Sequence, residues 1–148
     1  MYQKKNTIKK FKGDLLITHD GISGPCSLYL SRFLPGDLSD DTGRLTEGKY
    51  LIGINFRFNF SLEDTDKLIT DLICKYPKKF VANIISSYFC IPLSFVKYML
   101  SKSNDNLNVI SSKITKTARK FIVKQLHSTE FEISGTCGFS KAMVTAGG

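Results

Sequence analysis

Apolar residues recur at two different spacings along this chain, and the places where the spacing changes set its organisation. From Ile52 to Phe58 they alternate with Gly53, Asn55 and Arg57, the period-two pattern of a strand with one buried face. From Ser61 the spacing becomes helical. Ser61 can cap a helix, Glu63 and Asp64 suit its positive end, and Leu62, Leu68, Ile69, Leu72 and Ile73 follow on one face. Pro77 ends that helix. A second helix is predicted over 78–88 with Phe80, Val81, Ile84, Ile85 and Tyr88 on one side, and Pro92 opens a third carrying Leu93, Val96, Met99 and Leu100. After the polar stretch 101–106, Ile114, Ala118, Phe121, Ile122 and Leu126 form the stripe of a fourth, with Lys113, Lys116, Arg119, Lys120 and Lys124 towards water. Strand alternation returns at Glu130–Ile133, and Met143–Thr145 reads as a closing strand.

The first sixty residues add two more expected strands, 3–12 and 14–18, with Gly13 as the turn between them. A short helix from Cys26 to Leu34 follows, with Pro25 in its first turn and Pro35–Gly36 as its stop. Residues 36–48 make a polar loop. The pattern predicts an α+β fold: a small antiparallel sheet or β-barrel-like part formed by both ends of the chain, 1–60 and 128–148, and an inserted helical part of about four helices over 61–127.

Composition narrows the class. No apolar run approaches the ~18 residues of a membrane span, and Met1-Tyr2-Gln3-Lys4-Lys5-Asn6 lacks the apolar core of a secretory signal. The expectation is a soluble cytoplasmic protein without a membrane partner. Net charge is +8, from 17 Lys and 4 Arg against 13 acidic residues. The lysines are spread along the chain and Arg, the better phosphate and base reader, is scarce. A solvated surface without a nucleic-acid partner is therefore expected, and a freestanding basic nucleic-acid-binding or protein-interaction module is the alternative. Cys26, Cys74, Cys90 and Cys137 lie far apart with no Cys-x-x-Cys and only His19 and His127 beside them, so no metal site is expected. Buried free thiols are expected instead.

The most specific string is Thr18-His19-Asp20-Gly21-Ile22-Ser23-Gly24-Pro25, between a strand end and a helix start. Its glycines allow backbone conformations closed to other residues, Ser23 offers a hydroxyl near unpaired helix N–H groups, and His19 can serve as acid, base or donor near neutral pH. Such a turn suits an anion or a flavin's polar edge. The plainer possibility is a strand-to-helix turn in which Ser23 caps its own helix and His19 is a surface or packing residue. A phosphate-binding loop is excluded, because the Gly-Lys-Ser/Thr ending is absent. At the other end, Val144-Thr145-Ala146-Gly147-Gly148 delivers a strand into paired glycines, as if to a nucleotide-binding turn, and leads us to expect a piece of a longer protein.

Gly13-Asp14-Leu15-Leu16-Ile17-Thr18-His19-Asp20-Gly21-Ile22-Ser23-Gly24-Pro25, with Leu28 and Leu30-Ser31 after it, resembles the Gly-x-Leu-Leu-x-Thr-His-x-Gly-x-Ser-Gly-Pro signature of BaiN-type NAD(P)/FAD-dependent oxidoreductases. This flavoprotein family is also known as aminoacetone-oxidase-like. Tyr76-Pro77-Lys78-Lys79 with Ala82-Asn83 resembles its helical segment. Gly135-Thr136-Cys137-Gly138-Phe139 and Ala142 to Gly148 resemble the return to its flavin domain. Order and spacing agree across nearly the whole chain. In that family a Rossmann-like FAD domain is interrupted by an insertion with a β-barrel-like part and a helical part.

The resemblance implies that this chain is that insertion, capping the flavin site of a full-length enzyme and not catalytic alone. FAD would belong to the parent, with none expected in the fragment. The partners would be the missing FAD-binding domain of the same polypeptide and a small-molecule substrate. His19 and Ser23 are the implied catalytic-side polar contacts, and Thr18, Gly21, Gly24, Pro25, Thr145, Gly147 and Gly148 the implied cofactor-side positions. Two departures stand out. Cys26 and Cys137 replace residues of other types, although neither has a sequence neighbour that would activate a thiol. Gly-x-Gly-x-x-Gly is absent, so the dinucleotide fold itself lies outside these 148 residues.

Overall fold

The computed structural model describes residues 2–3, 6–7, 9–19, 21–34, 50–103 and 107–136, the first four by backbone alone. In chain order the elements are β1 (Tyr2–Gln3), β2 (Asn6–Thr7), β3 (Leu16–Ile17), β4 (Ile22–Ser23), α1 (Pro25–Ser31), β5 (Tyr50–Ile54), α2 (Leu62–Lys75), α3 (Val81–Phe89), α4 (Leu93–Ser101), α5 (Lys116–His127) and β6 (Thr129–Ile133). They make an α+β fold of two compact units, one holding 1–53 with 130–148 and the other 54–129.

The first unit is built on a four-stranded sheet of order β2-β1-β5-β6, beside a separate β3-β4 hairpin. β1 is antiparallel to both neighbours, with Tyr2 opposite Thr7 and Leu51, and Gln3 opposite Asn6 and Tyr50. Strands from both ends of the chain thus share one sheet, as the sequence pattern predicts, and the described strands do not close into a barrel. In β5 the alternation is realised directly: Tyr50, Ile52 and Ile54 are buried, and Leu51 and Gly53 are half-buried.

Three strand expectations need correction. The single strand over 3–12 is two short strands paired with each other. The strand over 14–18 shrinks to Leu16–Ile17, because its partner β4 has only two residues to pair. The strand from Tyr50 stops at Ile54 although alternation runs on to Phe58. There the Asn55 side-chain Oδ1 accepts from Arg57 N at 2.8 Å and Phe60 N donates to the Arg57 carbonyl at 2.9 Å. A side chain that takes a nearby backbone N–H favours a turn over a ladder.

In the second unit Ser61 caps α2 through a reciprocal capping box, its hydroxyl accepting from Asp64 N at 3.0 Å while the Asp64 carboxylate accepts from Ser61 N at 3.3 Å. The same contacts hold the Asp64 carboxyl below its ordinary range, the Ser61 hydroxyl contributing most. α2 packs on α5, and α3 on α4. Ile69, Leu72, Val81, Ile84, Ile85, Val96, Met99, Ile122 and Leu126 fill the core between them. Leu62, Phe80, Tyr88 and Leu93, placed on the apolar stripes by spacing, instead face solvent. In α2 the buried position nearest the N-terminus is taken by Thr65. Arg119 is also not a solvated residue of a basic face: it is half-buried and grips Asp66 with Nε–Oδ1 2.8 Å and Nη2–Oδ2 3.0 Å. Cys90 ends α3 in the left-handed region at φ 53° and is exposed, as is Cys74 on the outer face of α2. The expectation of buried free thiols holds for Cys26 alone among the described cysteines.

Candidate functional site

Thr18–Pro25 folds as a hairpin tip running straight into a helix. β3 and β4 pair antiparallel with Leu16 opposite Ser23 and Ile17 opposite Ile22. Thr18 closes the turn: its N–H donates to the Gly21 carbonyl at 2.8 Å, and its Oγ1 accepts from Gly21 N at 3.2 Å. Gly24 is the N-cap of α1, at φ 92°, and Pro25 is the first helical residue. Ser23 is therefore not the cap of its own helix. It lies one residue too early, on β4, and α1 has no side-chain cap.

Gly24 is where the hairpin and helix meet most tightly. A Cβ there would come 3.3 Å from the Asp14 carbonyl oxygen and 3.3 Å from Leu16 N. Asp14 O accepts from Cys26 N at 3.1 Å, and Ile22 O from the Ser27 hydroxyl at 3.2 Å, so the segment before the hairpin, the hairpin and the first turn of α1 form one hydrogen-bonded block. Phe11 stacks on Tyr29 at 4.2 Å between ring centres. On this rigid base Thr18, His19, Gly21, Ser23 and Pro25 are all exposed. Thr145, Gly147, Gly148 and Cys137 lie outside the described residues.

Cys26 is buried, with Sγ 3.4 Å from where a Cβ on Gly13 would stand. Burial pushes its thiol above the ordinary value, and Asp14 adds to the shift. That is the opposite of what a nucleophilic thiol needs. No group of His, Cys, Asp and Glu among the described residues could hold a metal ion.

With this geometry in view, the comparisons decide the family. Residues 1–144 match the family described as HI0933-like protein barrel and H2TH domain. The chain belongs to it. The HI0933-like domain is a domain of flavoprotein-type enzymes and is associated with FAD-dependent proteins. It is the insertion domain of the BaiN-type flavoproteins that the Gly13–Pro25 string resembles. No curated protein matches the chain.

The HI0933-like domain holds a second polar cluster that spacing alone does not reveal. Thr65 Oγ1, fully buried, donates to the Ser61 carbonyl at 2.9 Å and meets His127 Nε2 at 2.8 Å and Arg57 Nε at 3.4 Å. One hydroxyl proton and two lone pairs account for all three contacts if His127 carries its proton on Nε2. Burial and the nearby Arg57 charge together hold the His127 pKa below its ordinary value. Arg57 in turn lies 3.6 Å over the Phe60 ring. The network ties the segment entering the helical unit to the end of α5, beside a backbone bond from Phe56 N to Leu126 O of 2.9 Å. The only sequence signal for it is a Thr at a core-facing position of an amphipathic helix.

Proposed function

We propose that this HI0933-like domain is the substrate-side insertion of an FAD-dependent oxidoreductase and that its Thr18–Pro25 hairpin tip forms one wall of the flavin site in the full-length enzyme. One observation carries the reading. The segment that resembles the flavoprotein signature folds as a braced tip, and its exposed groups among the described residues include the Thr18 and Ser23 hydroxyls, the His19 imidazole and the bare backbone of Gly21. A structural turn alone needs Thr18, Gly21 and Gly24; it does not need His19 and Ser23 held outward on a rigid base.

The tip suits a flavin as a wall and not as a cradle. Ser23 and His19 offer hydrogen-bonding groups to a polar ring edge, and Gly21 leaves its backbone open, with nothing within 4 Å of where a Cβ would stand. A cradle for the pyrophosphate needs a glycine fingerprint before a full helix, and the parent's FAD-binding domain is proposed to supply it. When bound, FAD supplies hydride transfer with a nicotinamide or a small organic substrate. The chain's own part is to orient that substrate, keep water out and offer the His19 imidazole as a proton donor or acceptor. Thr145, Gly147 and Gly148 are proposed to approach the same site from the return segment.

The test is kinetic. His19→Ala and Ser23→Ala in the full-length flavoprotein are expected to slow flavin reduction about tenfold or more, equivalent to about 1.4 kcal/mol of barrier, and to shift the bound flavin's absorbance bands. Unchanged rates and spectra in both variants would remove the tip from the site.

A further inference from the structure

The helical unit carries nearly all of the protein's excess charge. Residues 54–129 contain 12 Lys and Arg and 5 Asp and Glu, a net +7 of the chain's +8. Within the unit the signs are segregated. Glu63, Asp64, Asp66 and Asp71 all lie on α2, and Asp105 is the single acidic residue from 72 to 129. Asp66 is taken up by Arg119, and Asp71 stands four residues before Lys75, the spacing at which opposite charges are neighbours on a helix surface.

Folding gathers lysines that are far apart in sequence. After α2 ends, Pro77–Val81 runs beside Val109–Ser112. Val81 N donates to Val109 O at 3.1 Å, Ser111 N to Lys79 O at 2.9 Å and Ser112 N to Pro77 O at 3.0 Å, with Phe80 bridged to Ile110. The buried Ser111 hydroxyl adds a 2.9 Å bond to Lys79 O. This short ladder leads into a single 3-10 turn, Ser111–Lys113, and then to Lys116 at the start of α5. Lys78, Lys79, Lys113 and Lys116 are all exposed at this one pole. By the 1.5 Å rise of a helix, Glu63, Asp64 and Asp66 lie about 14–18 Å along the axis from the end of α2, beyond the ~8 Å screening length of physiological salt. Along α5, Lys120 and Lys124 follow Lys116 at every fourth residue on the side opposite the buried Ala118, Ile122 and Leu126, with Lys124 about 12 Å along the axis from Lys116 and so outside the pole.

Aromatic rings are interleaved with these ammonium groups. Lys79 Nζ lies 4.7 Å from the Tyr76 ring centre, and Phe80 is 44% exposed on the ladder itself. Lysines alone would suit any polyanion. Lysines with an exposed ring on a hydrogen-bonded backbone match the way single-stranded nucleic acids are held, by phosphate neutralisation and base stacking.

We propose that this pole of the helical unit, built from Lys78, Lys79, Phe80, Lys113 and Lys116, is a binding surface for single-stranded polynucleotide. The lysines neutralise successive phosphates and the Phe80 ring stacks on a base. The proposal is independent of the flavin reading, since it concerns the other unit and needs no cofactor.

The 148-residue chain is titrated into fluorescent oligothymidylate and oligouridylate, followed by anisotropy at several salt concentrations. Four lysines on a single strand predict a log–log salt slope of about −3. Lys79→Glu/Lys113→Glu is expected to weaken binding at least tenfold and to flatten the slope by about 1.4. Lys67→Glu/Lys124→Glu, the same charge change about 12 Å along α2 and α5 from the pole, is expected to change affinity less than threefold. Phe80→Leu is expected to narrow the preference for single strand over duplex. Circular dichroism checks that each variant remains folded. No binding at low salt, equal losses in the two double variants, or binding to phosphatidylglycerol vesicles but not to oligonucleotides would each overturn the proposal.

Discussion

The hydroxyl of Thr65 on α2 lies 2.8 Å from Nε2 of His127 at the end of α5. A fully buried threonine thus joins the first turn of one helix to the last turn of another, directly beside the two segments through which the chain enters and leaves the helical unit. Removing the hydroxyl with Thr65→Val strands the His127 N–H while keeping the side-chain shape. The expected loss is about 1–3 kcal/mol, read from denaturant unfolding. A change below half a kilocalorie would show that the network is not coupled to folding.

The same contact gives stability a pH dependence with a definite sign. His127 has a folded pKa held below its ordinary 6.5, first by burial and then by Arg57. The neutral form is favoured in the folded state, so its contribution is full above the unfolded pKa and is lost as pH falls below it. The thermal midpoint should drop between pH 7.5 and pH 5, and His127→Gln, which keeps an N–H for Thr65, should flatten that drop. NMR titration of the imidazole with a midpoint above 6.5 would contradict this.

Two glycines of the hairpin should respond differently to alanine. At Gly24 a Cβ meets backbone atoms of Asp14 and Leu16 at 3.3 Å, and φ is 92°. Gly24→Ala should cost about 1–3 kcal/mol through strain and clash. At Gly21 φ is 153° with nothing within 4 Å of the added atom, so Gly21→Ala should cost less. Equal losses would mean that the close approach at Gly24 is not a constraint.

The thiols should separate by reactivity. Cys26 is buried with its pKa raised, and Cys74 and Cys90 are exposed. Under native conditions at neutral pH a disulfide reagent should modify Cys74 and Cys90 well before Cys26, as read by mass spectrometry. Fast labelling of Cys26 would contradict its burial.

The Arg119–Asp66 pair should contribute modestly. With side-chain exposures of 22% and 32% it is only partly shielded, and Arg119→Ala is expected to cost up to about 1 kcal/mol. The cost should shrink in high salt.

What the sequence reveals follows from which forces are local. The α2 start is legible because Ser61, Glu63 and Asp64 act within one turn, and the strand at Tyr50 because alternation is a property of neighbours. The end of that strand is not, since Asn55 reclaims a backbone N–H from within the same alternating run. Nor is the inward Thr65 or the outward Leu62, because burial there is decided by α5, more than fifty residues away in sequence. At the hairpin, Gly21, Gly24 and Pro25 are legible as turn chemistry. The choice of Gly24 over Ser23 as the cap depends on where β4 finds its partner. The lysines illustrate the same limit: spread along the chain, they become a pole only when 77–81 pairs with 109–112.

The most direct test of the flavoprotein assignment is the FAD content of the polypeptide encoded by the complete reading frame, set against that of the 148-residue chain. The account predicts about one FAD per chain in the former and none in the latter. A flavin-free full-length product, or an isolated chain that holds FAD unaided, would contradict it.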